Sequence, residues 1–333
     1  MRIGLALPQY DYAADGADGA KRLAWSSVLE AATSAERLGF HSLWLADHLF
    51  LSVEKYGGPA DPFEGFEPII TLAALARRTT TANLGTLVLC SQLRPAGVLA
   101  KQLAAVDLLS NGRLIAGMGA GWYEPEYEAA GIPFRQPGRR LAELTTAIET
   151  VRRVWSDDPG TPPCLPPPVQ RPGPPIWVGG KGDRLLQLVA THADGWNTVW
   201  RWTISEYRER LEALDQACRR IGRDPGSVTR SVGLYTLVGE DERDLQRRFN
   251  RLKTHTPPGV LTDETLEDWR RGRLVGTVEE VREQLASWKE LGVAELIVGL
   301  GAVPFALTTS DDLEMVASAA ALGAICPASE PPN

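Results

Sequence analysis

The sequence predicts an α/β fold, a single (β/α)8 (TIM) barrel with insertions, and three observations point to it. Short β-type runs alternate with longer amphipathic runs, which is the pattern of a parallel sheet covered by helices. Eight runs of each kind are present, whereas an open doubly wound sheet more often stops at about five to seven strands. The 333 residues, 44% of them hydrophobic, suffice for one barrel domain.

The β-type runs are short and mostly apolar, and each is followed by a polar or glycine-containing segment. In chain order they are Ile3–Leu7, Ser42–Ala46, Asn83–Leu89, Leu114–Met118, Ile176–Gly179, Gly195–Val199, Val228–Val238 and Glu295–Val298. We expect these eight runs to form the barrel wall.

The amphipathic runs predict the helices around that wall. The first, Leu23–Leu38, has apolar residues at roughly helical spacing and stops before Gly39, a residue type suited to a left-handed C-cap. The other seven repeat the pattern: Pro68–Arg78, Ala96–Leu109, Arg139–Trp155, Asp183–His192, Ser205–Ile221, Glu240–Phe249 and Thr277–Leu291.

Two segments interrupt the alternation. Asp157–Pro175 holds nine prolines in nineteen residues, so it cannot be a helix or a central strand, and we expect a stiff loop. The charged segment Arg251–Leu274 fits either a lid over the site or a solvated insertion. We assign residues 1–325 to the barrel domain and residues 326–333 to a frayed C-terminal tail.

Composition excludes several function classes. The chain has 35 basic and 42 acidic residues, a net charge of −7, so we expect no nucleic-acid partner. No apolar stretch has the length of a membrane span or a signal peptide, which favours a soluble cytoplasmic protein. The four cysteines are scattered without a C-x-x-C pair and there are only four histidines, so we expect neither a disulfide framework nor a metal site.

Asp47 and His48 follow the second strand, at the end where a barrel carries its active site. An imidazole at a strand exit can donate or accept a proton near neutral pH, which makes His48 the candidate for catalysis or cofactor contact. The alternative is that His48 merely caps the sheet. His41 and His192 lie at helix-to-strand junctions on the opposite face, so we expect them to be structural.

Gly179, Gly180, Lys181 and Gly182 follow the fifth strand and lead directly into a predicted helix. Backbone N–H groups, a helix N-terminus and a lysine there predict an anion site, most simply for a phosphate. The spacing is not that of a P-loop, and a glycine turn of no special function is the alternative.

The segment Gly117–Gly121 has alternate glycines at the fourth strand exit. Its glycines are not at the offsets of a dinucleotide-binding fingerprint, because Trp122 occupies the third position. Alternate glycines, Gly119 among them, would let a flat ligand lie close to the backbone, although a tight turn is equally consistent. Trp200 and Trp202 near the predicted mouth suit a planar ligand.

Six motifs in order resemble the luciferase-like monooxygenase superfamily, most closely its members that use the deazaflavin coenzyme F420. The motifs are Ser42-Leu-Trp-Leu-Ala-Asp-His-Leu, Leu84-Gly-Thr-Leu-Val, Leu99-Ala-Lys-Gln-Leu-Ala-Ala-Val-Asp-Leu-Leu-Ser-Asn-Gly-Arg-Leu, Gly117-Met-Gly-Ala-Gly-Trp-Tyr-Glu-Pro-Glu-Tyr, Pro175-Ile-Trp-Val-Gly-Gly-Lys-Gly and Ala193-Asp-Gly-Trp-Asn. The resemblance spans roughly residues 1 to 300. It implies the barrel, a homodimer, and an F420-dependent oxidoreductase that transfers a hydride to or from a small organic substrate.

The resemblance also implies roles for individual residues. Asp47 and His48 would flank the cofactor ring, and His48 would donate a proton to the substrate or orient it. The Leu87–Val88 peptide bond would be cis and lie behind the ring. The turn Gly179–Gly182 would bind the cofactor phosphate, with Tyr127 as a weaker candidate for the same group.

The resemblance stops short of the substrate. A sugar-phosphate dehydrogenase of the superfamily has a catalytic glutamate where this chain has Trp122, so neither Glu124 nor Glu126 can simply take its place. Three alternatives remain open: a monooxygenase that uses reduced FMN and oxygen, a phosphate-dependent aldolase or isomerase, and a barrel that binds a flavin without catalysis. The aldolase would usually need a lysine or carboxylate base at a strand end, which is not evident.

Overall fold

The predicted barrel is present and closed. The computed structural model describes residues 1–12, 23–156, 160, 164–306 and 309–323. Its strands are β1 (Arg2–Ala6), β2 (Ser42–Leu45), β3 (Phe50–Leu51), β4 (Phe63–Glu64), β5 (Asn83–Thr86), β6 (Leu89–Cys90), β7 (Leu114–Gly119), β8 (Ile176–Gly179), β9 (Gly195–Thr198), β10 (Thr229–Gly239), β11 (Leu274–Thr277) and β12 (Glu295–Gly299).

Eight parallel strands form the ring in the order β1, β2, β5, β7, β8, β9, β10 and β12. The ring closes because β12 pairs with β1, with Arg2 opposite Glu295, and β9 pairs with β10, with Gly195 opposite Thr229. Each predicted strand overlaps one strand of this ring. The predicted run Asn83–Leu89 forms β5 and then leaves the regular strand after Thr86. Strand pairing resumes at Leu89, where the short strand β6 pairs with β7.

Helices cover the outside of the ring. They are α1 (Trp25–Arg37), α2 (Pro68–Ala76), α3 (Ala96–Leu109), α4 (Glu124–Ala129), α5 (Pro137–Trp155), α6 (Asp183–His192), α7 (Ile204–Arg220), α8 (Glu242–Thr254), α9 (Leu266–Arg270), α10 (Val278–Glu290) and α11 (Ser310–Ala319). No helix in the described part of the chain is long and apolar enough to cross a bilayer.

The predicted helix set needs one correction. The runs Glu240–Phe249 and Thr277–Leu291 both lie between β10 and β12, as α8 and α10, so they are not two successive barrel helices. The helix that follows the last strand is instead α11, which the sequence analysis did not include. Its buried face carries Leu313 and Val316, and Thr309 caps its N-terminus by accepting a hydrogen bond from the Asp312 N–H at 3.2 Å.

Tryptophan side chains help to fill the inside of the barrel. The rings of Trp44 and Trp177 pack in a tilted arrangement with centroids 5.2 Å apart, and both are buried. Neighbouring strands make room for them with glycine, because a Cβ atom would lie 2.3 Å from the Trp44 ring at Gly85 and 2.5 Å from the Trp177 ring at Gly195. The barrel is therefore a packed core, and its usable space lies at the ends of the strands.

The two interruptions behave differently. The described part of the proline-rich segment, residues 164–175, contains no helix or strand, as predicted. The segment Arg251–Leu274 contains α9, and its last residue begins β11, which pairs with the far half of β10 outside the ring. This insertion is thereby attached to the barrel by a strand, a feature that sequence analysis missed. The predicted tail, residues 326–333, lies outside the described residues.

Candidate active site

A cavity of about 730 Å³ opens at the carboxyl ends of the barrel strands. Nine of the ten predicted site residues line it: Asp47, His48, Leu87, Val88, Gly119, Tyr127, Gly179, Gly180 and Lys181. The tenth, Gly182, lies just behind as the N-cap of α6. These residues come from several different strand exits or the segments after them, and barrel closure brings them together. His41 and His192 do not line the cavity.

His48 is paired with a carboxylate that sequence analysis set aside. Its Nδ1 atom is hydrogen-bonded to Oε1 of Glu126, and 16% of the imidazole side chain is exposed. Glu126 lies on α4 and is buried, and this burial raises the pKa of its carboxyl group. The edge of the His48 ring meets Trp122, with ring centroids 5.4 Å apart. The acidic residues of the short helix α4 are the sequence feature from which this pairing could have been predicted.

The Asp47 carboxylate accepts hydrogen bonds from two residues of the next strand exit. Arg94 donates two hydrogen bonds to its carboxylate, from Nη1 to Oδ2 at 2.6 Å and from Nη2 to Oδ1 at 2.9 Å. The backbone N–H of Cys90 also donates to Oδ2, at 2.9 Å. With this bidentate pair buried, Asp47 ties the end of β2 to the segment after β6 and orients the neighbouring His48.

Val88 forms part of the cavity wall at the break between β5 and β6. The Leu87–Val88 peptide bond is cis, as the resemblance implies. The Val88 side chain packs against the adjacent exits, since a Cβ atom would lie 2.5 Å from it at Gly119 and 2.8 Å at Gly179. A Cβ atom at Gly117 would lie 1.9 Å from the Thr86 carbonyl oxygen. These glycines therefore make room for the neighbouring strand. Sequence analysis had instead explained the glycines of Gly117–Gly121 by a flat ligand or a tight turn.

The glycine turn after β8 leads into an uncapped helix. Gly182 is the N-cap of α6 and supplies no capping side chain, so N–H groups of the first turn keep their hydrogen-bonding capacity. Gly180 has φ +139°, which favours glycine, and donates its own N–H to the Asn197 carbonyl at 3.0 Å. The Gly180 N–H is therefore not available to an anion. The donors that remain for an anion are Lys181 and the N–H groups of the first turn of α6.

Tyr127 faces a polar cluster of its own. Its hydroxyl group donates to Oε1 of Gln92 at 2.8 Å and lies 3.1 Å from the Cys90 sulfur. The phenol is buried and sits beside Gly121, which has φ +69°. The geometry thus gives the hydroxyl partners within the protein, although the ring still lines the cavity.

Sequence analysis missed Lys55, which lies in the insertion between β2 and β5, whereas it expected Trp200 near the mouth. Lys55 places its Nζ 3.3 Å from the centroid of the Trp122 ring, and burial lowers the pKa of this lysine to about 8. Trp200 lines the cavity and stacks on Tyr235 with centroids 5.3 Å apart. Trp202, expected near the ligand, is instead buried in the core outside the cavity.

Comparison with known proteins identifies relatives. Residues 1–295 match the family model of the luciferase-like monooxygenases. A phthiodiolone/phenolphthiodiolone dimycocerosates ketoreductase of Mycobacterium bovis (strain BCG / Pasteur 1173P2) is 29% identical over 237 residues, which are 64% of this chain. The match spans 61% of that relative's length.

Two solved structures share the fold along nearly the whole chain. An F420-dependent secondary alcohol dehydrogenase in complex with an F420–acetone adduct is 19% identical, with a TM-score of 0.74, over 96% of this chain and 98% of the other. A riboflavin lyase with modified FMN and riboflavin is 17% identical, with a TM-score of 0.76, over 98% and 94%. At these identities the likeness shows the barrel, and proteins similar to this one use either cofactor. Because the family model matches most of its residues, the chain belongs to the luciferase-like monooxygenase family.

Proposed function

We propose that this protein is an F420-dependent oxidoreductase that transfers a hydride between coenzyme F420 and a small organic substrate, in the simplest case a carbonyl compound or its alcohol. The observation that carries the proposal is the pair of His48 and Glu126 at the wall of a cavity whose other wall holds the uncapped turn before α6. The wall with His48 and Glu126 can donate or accept a proton, and the wall with the turn before α6 can bind a phosphate.

The residues of the cavity fit such a cofactor. A volume of about 730 Å³ lies within the usual range for a cofactor or ligand site. Leu87, Val88 and the glycines beside them form an apolar wall suited to a flat ring. Lys181 and the first turn of α6 would hold the phosphate. The sequence motifs resemble those of the F420-dependent members most closely, and this resemblance favours F420 over FMN.

The chain's own residues would manage the proton. F420, when bound, supplies or accepts the hydride at the substrate carbon. Carbonyl reduction also needs one proton at the oxygen, and Nε2 of His48 would hold it, because Nδ1 is engaged by Glu126. Glu126 would orient the imidazole, while Asp47 and Arg94 fix the backbone that carries it. In alcohol oxidation the same nitrogen would receive the proton.

Two names among the similar proteins support a carbonyl or alcohol substrate. One relative is a ketoreductase and one structural neighbour is a secondary alcohol dehydrogenase. Both reactions pair a hydride at carbon with a proton at oxygen, which is the chemistry that His48 and Glu126 can serve.

The deciding experiment is a fluorescence titration of the purified chain with F420 and, separately, with FMN. We expect saturable F420 binding with an affinity at least about tenfold higher than for FMN. Preference for FMN would contradict the proposal and indicate the reduced-FMN monooxygenase, which oxygen uptake with a flavin reductase would then test. Binding of neither cofactor would contradict both.

A further inference from the structure

The insertion builds one end of the cavity and places polar side chains there. Glu264, Trp269 and Arg273, all from Arg251–Leu274, line the cavity beside Arg201, which follows β9. The backbone joins the two arginine segments, because the Trp202 N–H donates to the Gly272 carbonyl at 2.8 Å. The residues that the insertion supplies, Glu264, Trp269 and Arg273, are remote in sequence from every motif that the family resemblance contains.

Arg273 is the central residue of this end, and its guanidinium group is incompletely satisfied. The residue is 8% exposed. Its Nη1 donates to the Trp269 and Arg271 carbonyls, at 3.1 and 3.4 Å, and the group lies 3.6 Å from the centroid of the Trp269 ring. Its Nε is buried without a hydrogen-bond partner. A buried donor without a partner is costly, so an acceptor that reaches this group would stabilise it.

The charges around Arg273 leave an excess of positive charge. Within the described residues, its guanidinium group forms no ion pair with a carboxylate, although Glu264 lies on the same wall. Burial together with the nearby Arg201 lowers the pKa of Arg273 to about 10. Among the charged residues that line this end, the arginines Arg201 and Arg273 outnumber the one carboxylate, Glu264. The Nε edge of a guanidinium has the geometry of a bidentate oxyanion contact.

An aromatic wall adjoins this charged end. Trp200 stacks on Tyr235 at an interplanar angle of 19°, and Tyr235 lies 5.9 Å from Trp269 between ring centroids. These three rings connect the region near the barrel axis to the position of Arg273. A flat or apolar body could lie along them with its charged group at the arginine.

We propose that the Arg273 end of the cavity binds an oxyanion of the substrate, a carboxylate or a phosphate, with Arg201 assisting and the aromatic wall holding the apolar body. The substrate class is then an amphipathic organic acid or phosphate ester that carries the reacting carbon some distance from its anionic group. This rests on the proposed function only in treating the cavity as the active site.

Calorimetric titration of the full chain tests this inference, with and without F420. The probes are benzoate, its neutral isostere benzamide, and phenyl phosphate. We expect one of the two anions to bind at least about tenfold more tightly than benzamide, and Arg273→Gln to remove that preference. Stronger binding of benzoate indicates a carboxylate substrate, and stronger binding of phenyl phosphate indicates a phosphate ester.

A matched control is Arg271→Gln, since the Arg271 side chain is 73% exposed and pairs with Asp268. We expect this variant to bind like the wild type. Arg201→Gln provides a second variant if Arg273→Gln fails to fold, and should weaken anion binding about threefold or more. If neither benzoate nor phenyl phosphate binds more tightly than benzamide, or if anion binding is unchanged in both Arg273→Gln and Arg201→Gln, the inference is overturned. Because the probes are titrated without cofactor as well, this result is separate from the F420 test.

Discussion

The pairing of His48 with Glu126 joins side chains that lie 78 residues apart in the chain. Glu126 is 2% exposed, and burial raises the pKa of its carboxyl group. At the residue scale, the pair joins a buried carboxyl group to a histidine that lines the cavity, and we propose that it holds or moves the proton of the reaction.

We expect His48→Ala to lower kcat of the F420-dependent reaction by about 100-fold or more, since general acid–base groups typically contribute that much. The Kd for F420 should change by less than about threefold. Glu126→Gln should lower kcat in the same direction but less. Steady-state kinetics and cofactor titration measure both quantities.

Glu124→Gln is the control for this pair, because Glu124 is exposed on the same helix. It should leave kcat and the F420 Kd near the wild-type values. Equal losses of turnover and cofactor affinity in His48→Ala would contradict the assigned role.

Glu295 offers a pH-dependent prediction away from the cavity. It is buried at the start of β12 and accepts a hydrogen bond from Ser42 Oγ at 2.5 Å. Burial raises the pKa of this carboxyl group, despite the opposing effect of Ser42 and Arg2. A raised pKa means that the folded state favours the neutral form, so stability is lost as pH rises through the folded-state pKa.

Glu295→Gln removes this titration while keeping an oxygen for Ser42. We expect the variant to gain unfolding free energy relative to wild type as pH rises from about 4.5 to about 8, measured by urea denaturation. Glu290→Gln, at an exposed position of α10, should show a difference that does not change with pH. An equal difference between Glu295→Gln and wild type at both pH values would refute the expectation.

At the scale of elements, the cavity depends on how β5, β6 and β7 meet. The chain leaves β5 at Thr86 and enters β6 at Leu89, and β7 accommodates this step with glycine at positions 117 and 119. The Thr86 hydroxyl donates to the Gly117 carbonyl at 2.8 Å, which further joins the two strands. The apolar wall formed by Leu87 and Val88 is therefore held by strand packing.

Gly117→Ala should lower the unfolding free energy by about 1–3 kcal/mol, because its Cβ atom would overlap the Thr86 carbonyl group. Gly97→Ala is the matched control: Gly97 lies in α3, and an added Cβ atom there would meet nothing within 4 Å, so this change should stabilise by up to about 1 kcal/mol. Chemical denaturation measures both. A Gly117→Ala variant as stable as wild type would contradict this account.

The N-terminus of α6 is the second element with a predicted role. Lys181→Ala should weaken F420 binding by about tenfold while changing kcat by less than about threefold, because we propose that the lysine binds the cofactor phosphate and does not contact the reacting atoms. Fluorescence titration and steady-state kinetics measure the two effects. Lys289→Ala, at an exposed site on α10, is the control, and a loss confined to kcat in Lys181→Ala would contradict the prediction.

At the scale of the whole molecule, the closed ring brings distant strand exits to one mouth and the insertion adds an outer wall. The exposed side of the molecule at α2 and α3 carries apolar side chains, with Ile70 68% and Val98 52% exposed. These two helices pack against each other. They form the surface on which we expect the homodimer that the family resemblance implies.

Light scattering after size exclusion should give twice the chain mass of 36.2 kDa. A charge at this surface should shift the protein toward the monomer, since a buried unpaired carboxylate is costly. The test variants are Ile70→Glu and Val98→Glu. Ile221→Glu, at an exposed position after α7, should remain dimeric. A wild-type monomer would contradict the expectation.

The sequence by itself determined the barrel. The apolar pattern within each run shows which of its faces is buried, so each strand and helix can be predicted from its own residues. It also located the strand exits, so His48, the Val88 segment and the Lys181 turn could be named from their positions together with the family resemblance. The break in the third strand was missed because β6 has only two residues. The helix α11 was missed although Thr309 and an acidic first turn mark its start.

Only the tertiary structure decided which side chains meet. Glu126 pairs with His48, Arg94 holds Asp47, and Arg273 reaches the cavity beside Arg201. Each of these relations joins residues that are far apart in the chain, and none leaves a periodic pattern in the sequence. The physical reason is that hydrogen bonds and charge interactions depend on distances between atoms, which closure of the ring and the path of the insertion set.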